Sequence, residues 1–548
     1  MVTRTNVKAV VVGAKECGKT SLITSLYSNL QMHGNRNGFD LGEWAVSRFI
    51  SEETDDPHVF DFQGACNRLK NCRYPLQTKD WSVIKMEVHL SKVNPPSGWS
   101  KGIKKVFIAH KKIVSLEVLD LPGERLSDLA LMVEEKFKRA TFRKWSLRVE
   151  GAYKSIDKSE NSKWKSYTAY LDEVKEILEH LTNDLKIIDE SGDDKSVKAK
   201  RKDGLNKQYK SRILEAYKKF LPLIRESRVV YYAPSTIRLT EDGKLVPARS
   251  AEGFHDSLMS GLKVTEDGKL TPLAPEEKST MMNDVRHVCI GLAEDEFAPL
   301  PREAFEDDKC KGLRNSFEDS YNKYYEKIVE PIVKRLKDAQ KVYYLVDVLN
   351  LLRDGREKKD AEKRFAESFF KVLGRRPSTV PWIGGALDTC ASWFTSVKKV
   401  FLVATQADKV VICKDAVSDE YQKKIADDNL KNMKELTESL AMNEILDAMG
   451  EDVKVQTDVC AAINSTKTTE DGRLEAYWES GPKAGISCRE YGQPPPVPQS
   501  WPDLDSNWEP AETFKYERPK RCLRSVDPGA SPLPQFNVAA IAKSLLEI

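Results

Sequence analysis

Apolar residues recur along this chain in two rhythms. Short runs at residues 7–12, 83–90, 113–119, 341–349, 399–405 and 453–459 are unbroken or alternate strictly, and they are rich in Val, Ile and Leu. That is the pattern of strands buried on one or both faces of a sheet. Between them, apolar positions return every three or four residues, which predicts helices over residues 21–30 and 317–336. A third stripe, Trp164, Tyr167, Tyr170, Leu171, Val174, Ile177, Leu178, Leu181 and Leu185, predicts a helix with one buried face. Strands alternating with helices predict an α/β fold whose sheet is mostly parallel and carries helices on both faces.

The spacing of the strands also predicts an interruption. More than two hundred residues separate the run at 113–119 from the run at 341–349, far more than a loop spans, so another domain is inserted there. The expected layout is a nucleotide-binding domain over residues 1–125 and 313–484, a helical insertion over 126–225, a small β-containing insertion over 226–312, and an extended tail over 485–548. Three near-copies of one turn, Thr240-Glu241-Asp242-Gly243, Thr265-Glu266-Asp267-Gly268 and Thr469-Glu470-Asp471-Gly472, predict hairpins, because Asp-Gly adopts the tight turn that joins antiparallel strands. The basic stretch 195–212 lacks interleaved aromatics and reads as a solvated helix face, not a base-stacking surface. The apolar stretch 380–397 is interrupted by Asp388 and loosened by Gly384 and Gly385, and reads as a buried loop and helix.

Composition narrows the class. With 548 residues, 40% hydrophobic and 31% charged, and 87 basic against 84 acidic side chains, the chain has no global field that would favour nucleic acid. No apolar run reaches the roughly 18 residues of a spanning helix. The ten cysteines are scattered without metal-ligand spacing and are expected to be reduced. Residues 1–5 lead into the first strand without the features of an export signal, so the expectation is a cytoplasmic protein.

The chemistry is carried by Gly13-Ala14-Lys15-Glu16-Cys17-Gly18-Lys19-Thr20, with Ser21 next in the following helix. A strand, a glycine-bounded loop and a helix in this order form a P-loop, whose backbone N–H groups and helix N-terminus wrap phosphates. Lys19 is expected to reach the β/γ oxygens, and Thr20 to offer its hydroxyl to Mg²⁺. The run ending Leu119-Asp120-Leu121-Pro122-Gly123 places a D-x-x-G after a strand, so Asp120 is a second candidate metal residue and Gly123 a candidate γ-phosphate donor. Thr78 is positioned as a third metal residue. Glu124 is expected to position the attacking water and Arg125 to stand beside the γ-phosphate in the manner of an arginine finger. Thr405-Gln406-Ala407-Asp408 follows a strand, as a guanine-recognition box does, with Asp408 accepting from the base and Gln406 where a lysine is usual. Ala461 and Ala462 supply candidate loop N–H groups for the base oxygen.

These residues together resemble the YcjX-like P-loop GTPases. The resemblance rests on residues 13–20, Leu119-Asp120-Leu121-Pro122-Gly123-Glu124, Phe297-Ala298-Pro299-Leu300-Pro301, Val346-Asp347-Val348-Leu349 with Gly355, and Val403-Ala404-Thr405-Gln406-Ala407-Asp408, in family order over most of the chain. It implies a G-domain-like P-loop NTPase fold, GTP or GDP with Mg²⁺ as ligands, a role in stress responses, and association with an inner-membrane protein. The chain departs from the family at Arg125, where tryptophan is common, and at Gln406. A slow GTPase is the leading expectation. A nucleotide-regulated scaffold that scarcely hydrolyses, an ATPase and a small-molecule kinase are the alternatives.

Overall fold

In β1, Val2–Gly13, the polar first half is exposed, whereas Val7 and the run from Ala9 onward are buried. A strand hydrophobic on both faces must lie inside a sheet, and β1 is the central strand. The computed structural model describes residues 2–14, 17–32, 39–51, 59–70, 82–92, 111–121, 128–129, 131–134, 137–156, 162–226, 262–264, 270–272, 297–374, 397–411, 420–450, 452–464, 466–468, 473–479, 486–492, 496–502, 533 and 535–548. The main sheet adds β2 (Trp44–Ser51), β3 (Ser82–Lys92), β4 (Lys111–Asp120), β5 (Lys341–Val346), β6 (Lys399–Ala404) and β7 (Lys454–Val459) in the order β7-β6-β5-β1-β4-β3-β2. All neighbours pair parallel from β7 to β4, while β3 runs against both β4 and β2. The sheet is thus mostly parallel, as the apolar runs predicted. Edge strand β2 was not legible, because Trp44-Ala45-Val46-Ser47-Arg48-Phe49 is half-exposed and its apolar period is broken by a register shift between Val46 and Arg48.

Helices cover both faces, and side-chain alternation decides which face each one meets. On one side, Leu22, Leu26 and Leu30 of α1 (Lys19–Gln31) join Val11, Leu116, Leu345 and Phe401 in a single apolar cluster. Tyr343 belongs to the same cluster and stacks on Phe401 with ring centres 4.6 Å apart. The next residue, Tyr344, points the other way. It donates a hydrogen bond to Glu362 and packs on Phe365, Phe369 and Phe370 of the helix Arg356–Leu373. The run from Lys341 was expected to stay extended to Leu349. It instead ends at Val346, because Asp347 accepts the Asn350 N–H and so starts a short helix, Val348–Asp354.

The contacts divide the chain into two units, Met1–Leu126 with Arg335–Ile548, and Ser127–Lys334. The second unit is largely helical. Along Ser162–Glu190, every predicted stripe residue from Tyr167 to Leu185 is buried. Trp145, Phe142, Phe297, Phe317 and Tyr321 form an aromatic core, and Tyr170 donates to the Pro299 carbonyl at 2.6 Å. The basic stretch lies on the helix Lys195–Glu226, where Arg201 pairs with Asp193, Lys202 with Asp189 and Lys207 with Asp203. The predicted helix 317–336 is longer than expected. Lys311–Tyr324 continues through a π-helical turn, Tyr325–Val329, into Glu330–Asp338.

Two of the three Thr-Glu-Asp-Gly turns are flanked by antiparallel strands, Leu262–Val264 with Leu270–Pro272, and Thr466–Thr468 with Leu474–Glu479. The turn residues themselves, the copy at 240–243 and residues 380–396 of the apolar stretch lie outside the described residues. The expected extended tail contains regular structure. Ile486–Gly492 is the third strand of a small antiparallel sheet, and Val538–Leu546 is a helix whose Val538, Ile541, Leu545 and Leu546 are buried against the α1 face. Proline-rich composition hid this, because the apolar helix is only nine residues long and begins four residues after the last of those prolines, Pro534. Among the described residues, no helix is long and apolar enough to cross a membrane.

Candidate functional site

The register of the sheet brings five strand ends to one edge. Gly13 lies beside Leu345, Val11 beside Asp120, Val346 beside Ala404, and Ala404 beside Val459. The segments that leave these ends include residues 13–20, the Asp347 turn, residues 405–408 and residues 460–463. Strand order reverses on either side of β1, and in open α/β sheets the crevice at such a reversal is where ligands bind.

The loop after β1 is shaped by two glycines with different reasons. Gly13 has φ +148°, and a Cβ there would lie 2.4 Å from the Leu345 carbonyl oxygen and 2.7 Å from Cys17 Sγ. Gly18 has φ +91° with nothing within 4 Å, so conformation alone requires glycine. It is the residue preceding α1, and it brings no side-chain cap. No acidic residue stands in the first turn. A helix N-terminus left in this condition is suited to an anion. Lys19 folds back over the loop and donates to the carbonyls of Gly13 at 2.8 Å and Ala14 at 2.7 Å, and only 7% of its surface is exposed. Cys17 is fully buried, with Sγ 3.7 Å from Lys19 Nζ. Burial pushes its thiol up to about 11 although Lys19 opposes the shift, so it packs as a neutral side chain and not as a nucleophile.

Thr20 donates to Asp120 Oδ2 at 3.4 Å across the gap between α1 and the end of β4, and Asp120 is wholly buried. One hydroxyl and one carboxylate suit a hard cation that keeps most of its water. Among the described residues, no group of three or more His, Cys, Asp or Glu side chains is placed to hold a metal. Ser21, buried in the first turn of α1, lines the same helix end. Lys15, Glu16, Thr78, Gly123, Glu124 and Arg125 lie outside the described residues.

The turn after β6 is held from several sides. Thr405 donates its N–H to the Val346 carbonyl at 3.0 Å, and Ala407 donates to the Cys460 carbonyl at 3.2 Å. Thr466 Oγ1 donates to the Asp408 carbonyl at 2.5 Å. Gln406 adopts φ +61°, and its side-chain amide donates to Asp347 Oδ2. Asp347, a residue of the motif Val346-Asp347-Val348-Leu349, therefore has two tasks: it caps a helix and it fixes Gln406. Neither task is legible in the motif itself, because the Gln406 amide is 59 positions away. Asp408 is 6% exposed at the end of this turn. Ala461, read as a donor toward a base, gives its N–H to the Phe536 carbonyl at 3.0 Å and accepts from the Phe536 N–H at 2.9 Å. Among the described residues no backbone carbonyl accepts from the Ala462 N–H, and nothing in the local pattern signalled a partner for Ala461 75 positions later.

The sequence profile of the YcjX-like family, DUF463, matches residues 7–206 and 294–547, the greater part of the chain. No curated protein matches it.

Proposed function

We propose that this chain, which belongs to the YcjX-like family, is a Mg²⁺-dependent P-loop protein that binds and slowly hydrolyses GTP. The observation that carries the reading is the loop after β1. Two glycines that admit no other residue without strain bound it, it ends on a helix N-terminus free of acid, and Lys19 is held 2.7–2.8 Å from its carbonyls. Strand order supports the same reading, because a mostly parallel sheet with helices on both faces is the arrangement expected of a G-domain-like nucleotide-binding domain, and it lies in the unit formed by Met1–Leu126 and Arg335–Ile548 rather than in residues 1–125 and 313–484.

In this reading the loop N–H groups and Lys19 bind the α-, β- and γ-phosphates, and Lys19 exchanges its carbonyl partners for phosphate oxygens. Thr20 and Asp120 would hold the metal, with Thr78 as the third residue of the set, and Mg²⁺ bound there would neutralise phosphate charge. Catalysis is then a matter of positioning and electrostatics, with Glu124 orienting water and Arg125 near the transferred group. Asp408 selects guanine. Because Gln406 is engaged with Asp347, it is not free to pack over the base as the usual lysine does, so selectivity rests on Asp408 and the neighbouring loop. We place the protein in the cytoplasm with a membrane-associated protein as partner.

The test is nucleotide binding and Mg²⁺-dependent phosphate release from GTP, ATP and xanthosine triphosphate by wild type, Lys19→Ala and Asp408→Asn. Hydrolysis lost in Lys19→Ala, with preference moved toward the xanthine nucleotide in Asp408→Asn, is the expected result. Tight GTP binding without phosphate release would make the protein a nucleotide-regulated scaffold, and preference for ATP would remove the role of Asp408.

A further inference from the structure

The C-terminal segment makes more contacts at the candidate site than its position in sequence suggests. Residue Leu533 lies against the buried side of α1, where its N–H donates to Ser28 Oγ at 3.4 Å and its carbonyl accepts from Asn29 Nδ2 at 3.3 Å. Three residues on, Phe536 forms two backbone hydrogen bonds with Ala461, an isolated antiparallel bridge just past the end of edge strand β7. Asn537 then donates its side-chain amide to the Val459 carbonyl at 2.8 Å, holding φ +57°, a conformation that asparagine tolerates better than most residues. Cys460, between these two contacts, accepts from Ala407, the residue before Asp408.

The far end of the segment is anchored on the opposite edge of the sheet. Lys341 Nζ donates to the Ser544 carbonyl at 2.5 Å and pairs with Glu547 at 3.2 Å, Lys112 Nζ donates to the Glu547 carbonyl at 2.7 Å, and Tyr343 shares a hydrogen bond with Ser544 at 2.7 Å. Two cations at the C-terminus of Val538–Leu546 meet the negative end of its dipole. Helix and anchors leave the segment little freedom at Phe536 and Asn537.

We propose that Leu533 and residues 535–548 form a positioning element of the base-binding site: they bind the loop after β7 to α1, and guanine selectivity depends on that attachment while phosphate binding does not. Within the segment, Phe536 and Asn537 hold the loop after β7, whereas Leu533 meets α1 at Ser28 and Asn29, away from Lys19 and Thr20 at its start, so the Asn537 attachment bears on base recognition and not on the phosphate loop. This inference rests on the nucleotide reading above for its selectivity arm, and on hydrogen bonding alone for its structural arm.

Asn537 gives the cleanest test. Asn537→Gly keeps the positive φ and removes the amide, and Asn537→Asp keeps the shape and removes the donor. Amide exchange at Cys460 and Ala461, followed without nucleotide, is expected to accelerate about fivefold in both variants, as loss of one hydrogen bond gives. The ratio of GDP to ADP affinity is expected to fall by about the same factor, while affinity for pyrophosphate stays at the wild-type value. A general loss of stability would lower all three affinities together and so would overturn the proposal. Unchanged exchange in a chain whose wild type prefers GDP overturns the C-terminal role alone. A wild type that does not distinguish GDP from ADP overturns the guanine reading and the selectivity claim with it.

Discussion

Substituting Gly13 by alanine perturbs the loop after β1 in two additive ways. The backbone at φ +148° is strained for any L side chain, at about 1–3 kcal/mol. The new methyl would also lie 2.4 Å from a backbone oxygen of Leu345 and 2.7 Å from Cys17 Sγ, and overpacking of this kind costs about 1–3 kcal/mol more. The expected loss is about 4 kcal/mol. With a urea slope of about 3 kcal/mol/M, the transition of the unit containing β1 moves down by roughly 1 M or more. Gly18→Ala meets nothing within 4 Å and bears only the strain, so its loss is about 1–2 kcal/mol. Adding Cys17→Ala to Gly13→Ala removes one of the two clashes and leaves the carbonyl of β5, which cannot retreat without breaking the sheet. Less than half of the stability should therefore return. Urea titration of the four full-length proteins, followed by circular dichroism, decides the matter. A Gly13→Ala protein within about 0.5 kcal/mol of wild type, or one no worse than Gly18→Ala, would refute the reasoning.

Trp145 is completely buried among aromatic rings, and its indole N–H has no hydrogen-bond partner among the described residues. Trp145→Ala should cost about 3–5 kcal/mol, and Trp145→Phe markedly less because no hydrogen bond is lost with the nitrogen; chemical denaturation compares them, and equal losses would contradict the packing argument. Asp458 has its carboxyl raised above the ordinary range, chiefly by burial, while Lys434 and the Gln456 amide at 3.1 Å only partly oppose this. The ionised form is therefore the penalised one: its cost to the fold is absent at low pH and develops as pH rises past the ordinary aspartate value. Asp458→Asn should raise the melting temperature at pH 7, with the gain shrinking toward pH 4, and a gain independent of pH would rule out ionisation as its cause.

Much of the sheet was legible because a strand buried on both faces must be apolar throughout, and a strand buried on one face must alternate. Neither requirement depends on the rest of the chain. Helix stripes such as Tyr167 to Leu185 were legible for the same reason, as were the antiparallel strand pairs on either side of two of the three Asp-Gly sequences. Gly18 was legible as well, since its positive φ answers a local backbone demand and needs no neighbour to explain it. What sequence by itself determined is therefore the buried strands, the long helix stripes and their alternation.

Tertiary structure decided everything that depends on residues far apart meeting. The carbonyl of Leu345 excludes a side chain at Gly13 across 332 positions, although each residue seen alone is ordinary. Asp347 ends a strand early and engages Gln406, 59 positions away, which changes what Gln406 is available to do. Phe536 takes the Ala461 N–H that a local reading assigns to a ligand. A backbone donor carries no trace in sequence of what will accept from it, because every residue but proline has one. Hydrophobic period is a property of one segment, whereas hydrogen-bond partnership is settled only when the sheet's register and the returning chain bring the two groups together.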